Sequence, residues 1–467
     1  MWPYLIIGMG VLLGIYWYDL RLPRLTSEQH PDRPLYGIPD RAERQDTPRL
    51  VLFWAIIGAL ILISGLRFRV GIDTISHQEC FRQAPLLSDL SLDAIGRRAG
   101  GRHAILYSIS KSIGCGIWLV QFVCTLILNL AFGRFIVRYS RRWFTCLGIY
   151  LCVSYIFLNF EVMYQGAATG LLIWSFDDLC QRRYRSFYLK LLGAACFHLS
   201  VLSLAWLPLL TCRRMRKLTD STLFLPMLTA ALLALGFGVK YLLVNQIHNL
   251  DGIPLFDTLH FNSAGIQEGF ADHLSGLGLN WKGIIRRLLI YAAIPIATYI
   301  ALTRSQNDAD FGDADTRRAF RIILATLAAF EILAIWLNVF VRLGFYLLPL
   351  AIPAFANSLS TIAGRTKRIC WWATTAAASF LVLYHFNSAT QLTRQGHLYE
   401  FYIPYASWID KGLSHHREWL NYSLMCAQHD DPYPDEHEFY YDLDPGTHYI
   451  DPPIGGQHLI PGCQGTK

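Results

Sequence analysis

The sequence predicts an all-α polytopic membrane protein with about 10–12 transmembrane helices, one of them broken or re-entrant, followed by an irregular external C-terminal tail. Three observations carry this fold class. Of 467 residues, 53% are hydrophobic and only 16% charged, whereas soluble domains carry roughly a quarter charged residues. Mean hydropathy stays at +0.30 despite long polar stretches. The apolar residues gather into runs of membrane-crossing length, separated by short arginine clusters. This composition excludes a disordered, collagenous or small disulfide-framework chain, and basic residues confined to short clusters argue against nucleic-acid binding.

A helix in hydrocarbon must satisfy its own backbone and needs about 20 mostly apolar residues. Ten runs qualify: 2–20, 50–66, 113–132, 143–160, 162–179, 221–244, 283–303, 319–341, 344–360 and 369–386. The first lacks the basic flank and small-residue cleavage site of a signal peptide, so it reads as a retained helix. An eleventh run, 187–210, is apolar but irregular.

Charge orients these runs. The net charge of +7 conceals a basic membrane body and an acidic end, since from Ala389 onward four basic residues stand against eleven acidic ones. Short basic loops mark the cytoplasmic side, and the densest lie at 134–142, 182–185, 213–217, 317–321 and 365–368. If 187–210 crossed fully, the second and third clusters would face opposite sides. If it enters and returns, with His198 near its turn, all five share the cytoplasm. Both readings stay open, because the charge rule is statistical. The layout is then a transmembrane domain over 1–388, with external loops 67–112 and 245–282, and an external periplasmic tail over 389–467. Residues 102–111, with Arg and Lys at the ends, suit a short interfacial helix. No repeat period is visible, and a single broken run without a counterpart weakens an inverted-repeat transporter.

Four places offer chemistry. Arg67 and Arg69, followed by Gly71 and Asp73, form a compact ionic group at the external end of the second run. Guanidinium forks match phosphate geometry, and Asp73 suits a base towards a sugar hydroxyl. The plainer reading has the arginines snorkelling and Asp73 capping the next helix. Glu161 and Gln165, one turn apart, share a face, while Gly166, Ala167, Ala168 and Gly170 permit close helix packing. His198 is an ionisable residue at membrane depth, either functional or bonded to a neighbouring carbonyl. Arg342 lies with Gly344, Tyr346 and Pro349 in a very short external turn, as an interfacial anchor or a second phosphate ligand.

Five pieces recur in a telling order. They are R-F-R-V-G-I-D at 67–73, the span opening at 164–168, L-G-A-A-C-F-H-L-S at 192–200, Arg342 followed by G-F-Y-L-L-P, and Y-I-P-Y at 402–405. Over about residues 50 to 408 this series resembles the EpsG-like, Wzy-type polysaccharide polymerases of bacterial inner membranes. Two positions depart from that pattern: Tyr164 stands where an Arg commonly precedes the Gln, and His77 where an aromatic often follows the Asp by four residues.

The resemblance implies a multi-pass inner-membrane glycosyltransferase that needs no metal or other cofactor. It would move a growing glycan from undecaprenyl diphosphate onto another lipid-linked repeat at the external face. Arg67, Arg69 and Arg342 would stabilise the leaving diphosphate, with Glu161 and Gln165 in the binding site, and Asp73 or His198 would act as base. The implied partners are the undecaprenyl-diphosphate-linked oligosaccharide, membrane lipids, and chain-length regulator and export proteins, with no nucleic acid. A ligase using the same donor, or a flippase, remains the alternative. A transporter would want charges mid-span, where Glu331 is the main exception.

Of the eleven cysteines, Cys80, Cys426 and Cys463 are external, and a Cys426 to Cys463 bridge has no supporting pattern. The Asp-, Glu- and His-rich stretch at 430–438 lacks zinc spacing and reads as a solvated, Pro-broken extension.

Overall fold

The computed structural model describes residues 2–20, 47–71, 73–90, 104–221, 223–245, 281–304, 314–361 and 402–409, the last without Pro404. The run at 369–386, the body of the loop 245–282 and nearly all of the tail lie outside the described residues. Among those described, every regular element is helical, joined by one antiparallel bridge between Arg67 and Ser407.

Helix α1 (Trp2–Gly14) continues through a π-turn, Ile15–Asp19, and lies against α2 (Thr47–Gly65). Its exposed Ile6, Met9, Leu12 and Leu13 form the face that lipid would cover. Asp19, fully buried, accepts hydrogen bonds from the Thr145 backbone N–H at 2.6 Å and the Thr145 hydroxyl at 2.8 Å, and pairs with Arg49 at 3.4 Å. A buried carboxylate is tolerable only with such partners.

Two short helices follow in the first loop, α3 (Thr74–Gln83) and α4 (Ala104–Ser112). The latter falls where the sequence predicts a short helix. It turns Ala104, Tyr107 and Ser108 inward and leaves Ile105 and Ile109 exposed on the opposite side.

Next comes α5 (Ile117–Tyr139), then α6 (Trp143–Tyr150), which runs on through two π-segments, Leu151–Tyr155 and Phe157–Glu161. A wider helix turn displaces carbonyls from their usual donors, and the Asn159 amide answers the one at Tyr155, 2.9 Å away. The same side chain accepts from Asn129 at 2.7 Å and donates to Tyr150 Oη at 3.0 Å, a fully buried polar knot. Helix α7 (Met163–Trp174) packs directly on α5. A Cβ on Gly170 would lie 2.8 Å from the Leu128 Cα, so the small-residue stripe permits close backbone approach.

The irregular run resolves as a hairpin. After α8 (Phe176–Cys180), helix α9 (Tyr184–Phe197) stops at His198, whose backbone is extended (φ −150°, ψ 110°). A 3₁₀ segment, Leu199–Leu204, then leads into α10 (Leu207–Thr211). The Tyr188 hydroxyl reaches the Ala205 carbonyl at 3.0 Å, tying the two arms together. Both feet of the hairpin meet one helix end. Arg182 pairs with Asp315, while Arg318 donates to the carbonyls of Leu210, Thr211 and Cys212 and to the Thr219 hydroxyl. Arg318 thereby caps the orphan carbonyls of the returning arm. The clusters at 182–185 and 213–217 therefore lie at one end, and the segment enters and returns. A cysteine introduced at Asp220, labelled with a membrane-impermeant maleimide in intact cells, should stay unlabelled, and strong labelling would refute this topology.

The remainder is α11 (Arg216–Thr219), α12 (Phe224–Asn245), α13 (Trp281–Arg287) with a π-segment Leu288–Ala292, α14 (Ala293–Arg304), α15 (Ala314–Leu333) and α16 (Val339–Thr361). The last two correct the reading of 319–341 and 344–360. Helix α15 already ends at Leu333, and α16 begins before Arg342, which is helical and not in a turn. Glu331 pairs with Arg287 at 2.6 Å and its Oε1 fills the space beside Gly344, where a Cβ would come within 2.9 Å. By length and apolarity, four described helices can cross a membrane: Thr47–Gly65, Ile117–Tyr139, Phe224–Tyr241 and Val339–Ser358.

Candidate active site

The end of the bundle opposite the Arg318 cap gathers most of the chemistry. Its centre is the loop after α2, held in place by the described piece of the tail. The Phe68 N–H donates to the Ala406 carbonyl and the Trp408 N–H to the Leu66 carbonyl, both at 2.9 Å. The Phe68 and Trp408 rings meet edge to face at 4.9 Å, and the Tyr405 hydroxyl donates to the Ile63 carbonyl at 2.9 Å. The Y-I-P-Y piece is thus a clamp on the arginine loop.

Within the clamped loop both arginines are buried, Arg69 at 3% exposure, but their settings differ. Arg67 is fully buried and does not snorkel. Its guanidinium donates to the carbonyls of Ser64 at 2.6 Å and Phe160 at 3.3 Å, over the Phe160 ring. It is placed to brace the loop against α6 and α7. Arg69 adopts a left-handed backbone (φ 54°), unusual for a side chain with a Cβ. Such strain costs on the order of 1–3 kcal/mol and clusters at functional sites. Two residues on, Gly71 has φ 114°, and a Cβ there would stand 3.1 Å from the Phe160 carbonyl and 3.4 Å from Glu161 Oε1. Only glycine combines that backbone with that approach.

Glu161 is a buried strut. It accepts from the Asp73 N–H at 3.3 Å and from the Tyr402 hydroxyl, joining α6, the loop and the tail. Gln165 does not share its face, because Val162 (φ −98°, ψ 55°) breaks the helix between them. The Gln165 amide instead donates to the Arg342 carbonyl at 2.6 Å, fixing the first turn of α16.

That leaves two accessible charges at the rim. Asp73 occupies the N-cap position of α3 without making a side-chain cap bond. Although the residue keeps surface exposure, surrounding protein desolvates its carboxyl and raises it above the usual carboxylate range, and Arg342 acts in the opposite direction. Arg342 is exposed, and its guanidinium makes no hydrogen bond or salt bridge among the described residues. Asp73 and Arg342 therefore form an acid–cation pair open to a ligand. The His198 Nδ1 is 2.6 Å from Tyr346 Oη and 2.8 Å from Ser200 Oγ, which are themselves 2.9 Å apart. Tyr346 is one helical turn along α16 from Arg342, which links His198 to the same helix. Neither Tyr346 nor Ser200 was flagged as functional by the sequence, although both stand inside the recurring pieces.

The two departures from the expected pattern touch each other. The His77 and Tyr164 rings lie 5.6 Å apart, and His77 Nδ1 is 3.3 Å from Tyr107 Oη. Among the described residues no group of three His, Cys, Asp or Glu comes together as a metal site.

A family model described as the EpsG family matches residues 50–407, from α2 through the clamp. No curated protein and no solved structure matches the chain.

Proposed function

The chain belongs to the EpsG family of membrane proteins of polysaccharide synthesis, and from that premise we propose that it polymerises lipid-linked repeat units at the external face of the bacterial inner membrane. The single observation that carries the reading is the Asp73 and Arg342 pair, open at one bundle end beside the strained Arg69 loop.

In this mechanism Arg69 and Arg342 hold the diphosphate of undecaprenyl diphosphate, the donor carrier. The acceptor hydroxyl oxygen attacks the anomeric carbon of the donor glycan. The bond from that carbon to the diphosphate oxygen breaks, and the arginines stabilise the departing charge. Asp73 takes the hydroxyl proton. Its raised pKa makes the ionised carboxylate a stronger base. Arg67, Glu161 and Gln165 position these groups without touching substrate. His198, held by Tyr346 and Ser200, is the second candidate base. Positive-inside charge supports the orientation, since the opposite bundle end carries the Arg182 and Arg318 clusters.

Glycan profiling of a deletion strain tests this directly. Loss of polymer with accumulation of single capped repeats is expected. Unattached polymer would mark a ligase instead, and lipid-linked units trapped in the cytoplasm a flippase.

A further inference from the structure

Beside the rim, α3, α4, α5 and α7 close around the rings of Tyr107 and Tyr164, whose centroids lie 6.1 Å apart. The polar side chains of this seam are at odds with its packing. Gln121 and Ser108 are fully buried and Gln78 is 5% exposed. Yet among the described residues neither amide atom of Gln78 or Gln121, nor the Ser108 hydroxyl, has a hydrogen-bond partner. Gln121 shares a face of α5 with Ile117 and Cys124, both members of the seam. Gln78 stands one turn before Phe81, which meets the Tyr107 ring at 5.8 Å, and Ser108 adjoins Tyr107 on α4.

Groups that are buried and unpaired lose their hydration and gain nothing in return, so leucine or alanine would hold this closed seam better. The amides make sense if the seam has a second, open state in which a ligand supplies their missing partners. The lining indicates what that ligand is. Carboxamides and hydroxyls both donate and accept, and tyrosine rings offer flat apolar faces. Such a set suits a neutral, hydroxyl-rich sugar ring. A diphosphate would call for the guanidinium forks of the rim.

We propose that the α3–α4 lobe parts from α5 and α7 to bind a neutral sugar residue of the acceptor glycan, read by Gln78, Ser108 and Gln121. The word acceptor rests on the polymerase reading, whereas the sugar site itself does not. The test uses the purified full chain in detergent with two probes. One is the oligosaccharide released by mild acid from lipid-linked repeats of the deletion strain. The other is bare undecaprenyl diphosphate.

Gln78→Leu and Gln121→Leu should each melt at or above the wild-type temperature, because they remove unpaired groups from the closed state. Together they should weaken oligosaccharide binding about tenfold or more while undecaprenyl diphosphate binding is unchanged. Ser108→Ala, which removes a single atom, should show the same pattern more mildly. Oligosaccharide binding that is unchanged in the double variant, or absent in the wild type, overturns the site. So does a fall in melting temperature for both leucine variants, since the amides would then be paired when closed. Wild-type protein that binds the oligosaccharide but not undecaprenyl diphosphate supports the sugar site and refutes the diphosphate reading instead.

Discussion

Arg69→Ala abolishes polymer and leaves single capped repeats at normal protein level: this is the expected outcome if Arg69 stabilises the departing diphosphate. Removing one preorganised donor from a developing anion typically costs about 10²–10³ in rate, enough to empty a ladder of polymer lengths. The backbone supplies the control. Because Arg69 is held at φ 54°, Arg69→Gly relieves strain while deleting the charge, and Arg69→Lys keeps both a charge and a Cβ. If the residue serves through its charge, the Gly variant is as inactive as the Ala variant and the Lys variant keeps partial activity. If it serves only as a bend in the loop, the Gly variant polymerises best. Normal polymer length from Arg69→Ala at normal expression would remove Arg69 from the mechanism.

The two arginines also show where sequence reading ends. Arg67 and Arg69 stand two residues apart, and in an extended segment such residues point the same way. Pattern alone therefore gave them one role. The left-handed backbone at Arg69 gives the two side chains different settings although both are buried, and no composition signal announces a positive φ at a non-glycine. Glu161 and Gln165 fail for a related reason. Their spacing promises one helical face, but the π-segment and the break at Val162 rotate one towards the loop and the other towards α16. In contrast, the hairpin at His198 was one of the two readings that the sequence left open, because arginine clusters report sidedness independently of helix geometry but only statistically. The start of α16 was hidden by Arg342 and Gly344, which look like a loop in hydropathy. At a membrane edge an Arg can extend outward from a helix, and Gly344 is accommodated by the Glu331 side chain. The Tyr346 partner of His198 was unreadable in principle, since it is 148 residues away.

Arg67 and Glu161 are expected to behave as one unit in a double-mutant cycle. Glu161 is the main anionic charge acting on Arg67, both side chains are buried, and between them they hold Ser64, Phe160, Asp73 and Tyr402. No salt bridge joins the two among the described residues, but deleting one charge leaves the other less balanced in a low-dielectric interior. Arg67→Met keeps the length and apolar stem, and Glu161→Gln keeps the shape and an acceptor for Tyr402. Each single variant should melt well below the wild type in detergent and reach the membrane at reduced level. The double variant, with neither charge left unpaired, should recover about 1–3 kcal/mol relative to the sum of the single losses. Strictly additive losses would mean that the two charges do not support one another. The more informative failure is Arg67→Met melting normally while losing undecaprenyl diphosphate binding. That result would make Arg67 a phosphate ligand, reached through movement of the clamp formed by Tyr402, Tyr405 and Trp408, and would move the reaction centre inward from the rim where Asp73 and Arg342 lie.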